Sequence, residues 1–161
     1  MIYVISDTHI PERASKLPQK FVEKVKKEDM IFHAGDFTSL KTYRELENLA
    51  SLYAVCGNMD CPEIKELLPS KKIIEPSGFK VGLIHGSGSP FNLTEKVFKE
   101  FNEELDLIIF GHSHTPYNQK QGEVLLFNPG SLAGNFLSWQ KSYGILHTDG
   151  GKIRGEIVYL K

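Results

Sequence analysis

The sequence is poor in cysteine and tryptophan, has no long apolar run, and carries no excess of either charge. Its two cysteines, Cys56 and Cys61, cannot make a four-thiolate zinc site, and a disulfide framework is not expected in a chain with its own core. Cys56 reads as a small apolar residue closing a strand, and Cys61 as part of the turn before Pro62. No stretch approaches the roughly 18 apolar residues of a membrane span. The apolar opening, Met1 to Ile5, is too short for a signal-peptide core, and no basic segment precedes it. The expected location is therefore the cytoplasm, with no membrane partner. Lys and Arg number 19 against 20 Asp and Glu, a formal net charge of -1. Nothing in that balance suggests a polybasic surface, and no sequence-specific nucleic-acid binding is expected. An anionic ligand would have to be attracted by a local site.

What is present suits a single domain spanning residues 1–161, long enough to bury its own core. Ile2 to Ser6, Met30 to His33 and Leu52 to Cys56 read as short buried strands. Leu17 to Lys27 carries Leu17, Phe21, Val22 and Val25 at helical spacing, and Leu40 to Ala50 carries a second helical stripe. The first third is therefore β-α-β-α-β, the pattern of parallel strands with covering helices. Lys72 to Glu75 and Phe79 to Ile84 flank Pro76-Ser77-Gly78, which predicts a hairpin. A helix over Asn92 to Phe101 and a buried strand over Leu105 to Phe110 follow. Val124 to Phe127, Tyr143 to His147 and Ile153 to Leu160 read as strands, the last two joined by a tight turn at Asp149-Gly150-Gly151. The expected fold class is α/β, a parallel half followed by a more antiparallel one.

Residues with metal-ligand chemistry recur where these strands end: Asp7-Thr8-His9, His33-Ala34-Gly35-Asp36, Gly57-Asn58-Met59-Asp60, His85-Gly86 and Gly111-His112-Ser113-His114. In open α/β sheets ligands bind beyond the carboxyl ends of the strands, so these five turns would meet there. Two metal ions about 3.5–4 Å apart need a carboxylate that touches both, with neutral nitrogen and oxygen ligands around them. Aspartate can bridge, and imidazole supplies nitrogens of borderline softness. Taken singly, most of these fragments are ordinary turn sequences. Two histidines two residues apart after an apolar strand have little structural purpose, and the ordered set is poorly explained by chance.

The set Asp7-x-His9, Gly35-Asp36, Gly57-Asn58-x-Asp60, His85 and Gly111-His112-x-His114 resembles the calcineurin-like metallophosphoesterase superfamily. With the chain length and Asn128-Pro129-Gly130-Ser131, it is similar to the small bacterial and archaeal phosphodiesterase branch. The resemblance implies a four-layer α/β/β/α sandwich of two mixed sheets. It implies one metal on Asp7, His9, Asp36 and His114, and another on Asp36, Asn58, His85 and His112, with Asp36 bridging. The cofactors expected are two divalent ions, manganese first, with nickel, cobalt, iron or zinc as alternatives. The implied activity is hydrolysis of small phosphodiesters by in-line attack of a metal-bridging hydroxide, with Asp36, Asn58 and His85 at the reacting centre. Asp60, Ser87 and His33 would support the ligands or touch substrate, and a homo-oligomer is compatible with the sequence.

Two positions depart from the family pattern. Larger members carry histidine after the asparagine, where this chain has Met59, and a thioether cannot donate a proton. Related small enzymes often have a second histidine where this chain has Ser87. Both departures remove general-acid help and favour substrates with good leaving groups. Phe136 and Trp139 read as core or oligomer contacts, and His147 as structural. The alternative function is a non-catalytic scaffold, as in the retromer subunit of the same fold. The complete set of seven donors weighs against it.

Overall fold

The computed structural model describes residues 1–134 and 140–161. Among the described residues, ten strands form two five-stranded sheets. The first sheet has the order β10-β9-β1-β2-β3, with β1 at Ile2–Ile5, β2 at Met30–His33, β3 at Ser51–Ala54, β9 at Lys141–Asp149 and β10 at Lys152–Leu160. Here β1, β2 and β3 are parallel, and β9 and β10 join as an antiparallel hairpin. The second has the order β4-β5-β6-β8-β7, with β4 at Lys71–Ile74, β5 at Val81–Ile84, β6 at Leu107–Ile109, β7 at Tyr117–Gln121 and β8 at Val124–Asn128. The helices are α1 at Gln19–Val22, α2 at Leu40–Leu49, α3 at Pro62–Leu67 and α4 at Leu93–Lys99.

Strand alternation creates the layers. Along β1, Ile2 and Val4 point into one apolar cluster and Tyr3 and Ile5 into another, as a period of two requires. Ile2, Val4 and Phe32 of the first sheet meet Leu83, Leu107, Ile109 and Phe127 of the second, so this cluster is the interior between the sheets. The outer face of the first sheet is covered by Phe21, Tyr43, Leu46 and Ile64 from its helices. The outer face of the second packs Ile84 and Ile108 against Leu93 and Val97 of α4. The result is the four-layer α/β/β/α sandwich that the family resemblance implied.

The expected helix over Leu17 to Lys27 is cut to the four residues of α1. The Lys24 carbonyl accepts from the Tyr3 hydroxyl, and the Lys26 N–H donates to the Asp29 carboxylate. The first of these contacts is long-range and the second local, and side-chain capture of backbone groups competes with the helical ladder. Leu17 and Phe21 are nonetheless buried in the outer core. The second half is less antiparallel than its sequence suggests, because β5, β6 and β8 are mutually parallel. The segment through α4 provides the crossover from β5 to β6 that parallel pairing needs. Two elements escape the periodicity reading. One is α3, opened by Pro62, and the other is β7, an edge strand whose residues are almost all exposed. Phe136 and Trp139 lie outside the described residues.

Candidate metal centre

The carboxyl ends of β1, β2, β3, β5 and β6 converge on one edge of the sandwich. Asp7 and His9 follow β1, Asp36 follows β2, Asn58 follows β3, His85 follows β5, and His112 and His114 follow β6. The Asp7 carboxylate Oδ1 lies 3.1 Å from His114 Nε2 and 3.7 Å from His9 Nε2. Asp36 Oδ2 lies 3.5 Å from His9 Nε2 and 3.3 Å from His85 Nε2. Asn58 Oδ1 sits 3.1 Å from His85 Nε2 and 3.2 Å from His112 Nδ1. Two compact donor groups result, Asp7–His9–His114 and Asp7–Asp36–His85, each with its ligand atoms within 4.8 Å of one another. His112 stands at the outer edge, linked to the rest through Asn58.

The backbone is bent to bring these groups together. Of eight non-glycine residues with positive φ among those described, five are Asp7, His9, Asp36, His112 and His114. Left-handed backbone is unfavourable for an L-residue and concentrates at functional sites. Two glycines allow the close approach. A Cβ on Gly57 would fall on the Asp36 carboxylate, and one on Gly111 would fall on the Ser6 hydroxyl and lie 2.8 Å from Asp7 Oδ2.

Hydrogen bonds fix what the backbone places. Asp7 Oδ2 accepts from the Ser6 hydroxyl at 2.7 Å and from the His112 N–H at 3.1 Å. Asp36 Oδ1 accepts from the Met59 N–H at 2.8 Å, which leaves Oδ2 between His9 and His85. Asp60 is buried and touches neither ring. Its carboxylate accepts from the N–H groups of Asp36, Thr38 and Gly57, so it clamps the Asp36 loop. Burial pushes the Asp60 carboxyl pKa up, while those N–H donors pull it back.

His33 is buried and stacks on Phe37 with ring centroids 3.5 Å apart. Its Nδ1 accepts from the Gly35 N–H, so its Nε2 proton goes to the Thr8 hydroxyl. Burial pushes its pKa down to about 3, against the pull of Asp7. His33 thus braces the Asp7 and Asp36 loops as a neutral ring. Asn128 donates to the Gly111 carbonyl and the Ser113 hydroxyl, and Ser131 donates to the Asp7 carbonyl. The Asn128–Ser131 turn therefore tethers two donor loops. Ser87 is exposed on the wall of a cavity shared with Asn58 and His85. His147 pairs with Glu156 on the hairpin at 2.8 Å.

Thr8, Ser6 and Arg13 are contributors that the sequence reading did not single out. Arg13 donates to His114 Nδ1 at 2.8 Å. Thr8 lay in plain view inside Asp7-Thr8-His9, but nothing in a sequence couples Arg13 to a residue 101 positions away.

The donor set fits cations. Asp7 is fully buried, and its Oδ1 is a buried atom without a hydrogen bond of proper geometry among the described residues, although His114 lies beside it. An unsatisfied buried carboxylate oxygen facing two imidazoles is expensive unless a cation fills the gap. His85 Nδ1 faces the Ala34 carbonyl at 2.7 Å, and His112 Nε2 faces the Gly88 carbonyl at 2.7 Å. Each outer nitrogen therefore holds a proton, and the inner one can offer a lone pair, the arrangement metal-binding histidines need. Burial opposes charge on His85, but Asp36 and Asp7 outweigh it and lift its pKa to about 9. In the absence of a cation a proton supplies the positive charge that the carboxylates demand. Burial also opposes charge on Asp7, yet His114 and His9 hold its carboxyl well below the usual range.

Residues 1–151 match the model of the calcineurin-like phosphoesterase superfamily domain. The chain is 39% identical over 160 residues to a probable metallophosphoesterase of Methanothermobacter thermautotrophicus, covering 98% of this chain and 91% of that protein. It is 30% identical to a phosphodiesterase of Methanocaldococcus jannaschii, covering 98% of each. The crystal structure of Vps29 from Chaetomium thermophilum superposes with a TM-score of 0.77 at 22% identity, covering 99% of this chain and 96% of that one. At that identity the likeness shows the fold alone. The chain belongs to the calcineurin-like phosphoesterase superfamily.

Proposed function

We propose that this member of the superfamily is a phosphodiesterase that works on small diesters with two divalent ions, manganese foremost. One ion is held by Asp7, His9, Asp36 and His114, and the other by Asp36, Asn58, His85 and His112. The observation that carries this reading is the unsatisfied, buried Asp7 Oδ1 facing His9 and His114. Asp36 Oδ2 is flanked by His9 on one side and His85 on the other, which supports Asp36 as the residue both ions would share.

When bound, two divalent ions stabilise charge on a phosphoryl group and lower the pKa of water toward neutrality. The chain does the rest. Asp60 and Met59 hold the Asp36 carboxylate from its two sides, one through the backbone and one through Oδ1. Arg13 reaches the outer nitrogen, Nδ1, of His114 at 2.8 Å and holds that ring at the mouth of the site. The Met59 side chain is 57% exposed and carries no proton to donate. Ser87 offers only a hydroxyl. The departing oxygen therefore leaves without a strong acid, so activated aryl diesters are preferred over alkyl esters.

The test is a diesterase assay on metal-stripped protein refilled with manganese, nickel, cobalt, iron or zinc in turn. Turnover of bis(4-nitrophenyl) phosphate should return with metal and exceed turnover of 4-nitrophenyl phosphate. Failure of every metal to restore activity would leave the scaffold reading, which rests on fold likeness alone.

A further inference from the structure

The cavity beside Asn58 and His85 extends away from the donor cluster, between the β4 and α4 ends, with a volume of about 370 Å³. That is within the range of cavities that hold a small organic molecule. Its floor is apolar, from Ile84 and Val97. Its lining also includes two cationic residues, Lys71 and Lys96, and one anionic residue, Glu100. Lys71 Nζ donates to the Glu100 carbonyl at 2.6 Å and Lys96 Nζ to the Ser89 carbonyl at 3.3 Å. Lys71 Nζ also lies 5.6 Å from the centre of the Phe101 ring, and because both hydrogen-bond acceptors are neutral carbonyls, neither ammonium charge is cancelled by them. Two positive charges against one negative leave a single positive charge on the wall.

We infer that this cavity receives one arm of the diester and selects an arm that ends in an anionic group, a phosphate or a carboxylate. The inference rests on the hydrolase reading, because it orients the substrate by placing the scissile phosphate at Asn58 and His85. An aliphatic or sugar-like stem lies along Ile84 and Val97, and its terminal oxyanion meets Lys71 and Lys96. A chain with a net charge of -1 offers little general attraction for anions, so discrimination of this kind has to be local. A neutral arm would fill the same space and leave both ammonium groups without a counter-charge.

Two matched pairs of ligands test this. The first pair is methyl 4-nitrophenyl phosphate and 2-carboxyethyl 4-nitrophenyl phosphate, assayed on the manganese-loaded protein. The carboxyethyl ester should have the higher kcat/KM by about five- to tenfold, carried by KM, and the ratio should fall as salt rises. The ratio should collapse to about one in K71Q/K96Q and survive in K71R/K96R and in the distant control K41Q/K152Q. The second pair is the corresponding methylphosphonate monoesters, titrated by calorimetry, which needs no turnover. Equal binding of the two phosphonates by the wild type, or a preference that K71Q/K96Q keeps, overturns the inference. A phosphonate preference that K71Q/K96Q loses, with neither nitrophenyl ester hydrolysed, upholds the cavity assignment and sinks the hydrolase reading instead.

Discussion

Asp7, His9, Asp36 and His85 are buried, whereas Asn58 is exposed and His112 and His114 are half-buried. The buried four are held by their surroundings before any cation arrives. Their carboxylates accept from N–H groups of other loops, and Asp7 also from the adjacent Ser6 hydroxyl, and His85 is tied to the Ala34 carbonyl. On the outer side Asn58 and His112 lean on each other, His112 also on Gly88, and His114 on Arg13. A buried floor held by the fold and a more exposed rim would suit the proposed site, which would have to keep its ions yet admit and release an anion. The comparison predicts unequal effects of substitution.

The largest effect should come from Asp36→Ala. Removing the one carboxylate between the two halves of the floor should strip both ions and lower diesterase activity by about 10³-fold or more. His112→Ala on the rim should keep one ion and lose about 10–100-fold. Elemental analysis beside steady-state rates checks both, and equal metal loss in the two variants would erase the distinction between floor and rim. Next in size is Asp60→Ala, which touches no proposed ligand side chain. Three backbone N–H groups lose their acceptor, so metal affinity should drop about 10–100-fold. Calorimetric titration with manganese measures it, and unchanged affinity would show that the Asp36 loop needs no clamp.

Those outcomes bear on what the sequence reveals. The floor residues were legible because carboxylates and imidazoles at strand ends are chemically conspicuous, and the strands themselves show as apolar runs. Asp60 was visible three residues after Gly57, but its task was not, since it acts on backbone groups of a loop 22 and 24 residues earlier. The truncation of α1 was also hidden in part, because Tyr3 reaches the Lys24 carbonyl, 21 residues away, only in three dimensions. The two-sheet sandwich was beyond periodicity, which shows that β5 and β6 are buried but not which strands they join. The family resemblance supplied that.

A smaller effect separates a floor histidine from its brace. In metal-free protein the His85 pKa of about 9 lies above the ordinary value near 6.5. The folded state binds the extra proton, so His85 adds stability below pH 6.5 and loses it as pH rises through 9. His33, with its pKa near 3, has the opposite sign. The unfolded chain takes the proton, so stability is complete above pH 6.5 and falls as pH drops toward 3. Urea unfolding of the metal-free protein should therefore show greatest stability near pH 6.5, with each group limited to about 1.4 kcal/mol per pH unit. Manganese should remove the gain between pH 9 and 6.5 and spare the loss below it, because it competes for His85 and not for His33. A profile unchanged by manganese would mean that His85 is not a ligand.

The smallest effect expected is a gain, from Met59→His at the rim. A positioned general acid contributes about 10²–10⁴-fold. The new imidazole would stand on an exposed side chain with no carboxylate to orient it, because both oxygens of Asp60 are already committed to backbone N–H groups. The gain on an alkyl diester should therefore reach only about tenfold, and an aryl diester, whose leaving oxygen needs little help, should change less. The Met59 N–H that holds Asp36 Oδ1 belongs to the backbone, so metal content should stay constant. Comparing the two esters on the variant measures the difference. A gain of 10²-fold or more on the alkyl ester would mean that Asp60 can leave its clamp to orient a ring, and that rim and floor are less separate than their burial suggests.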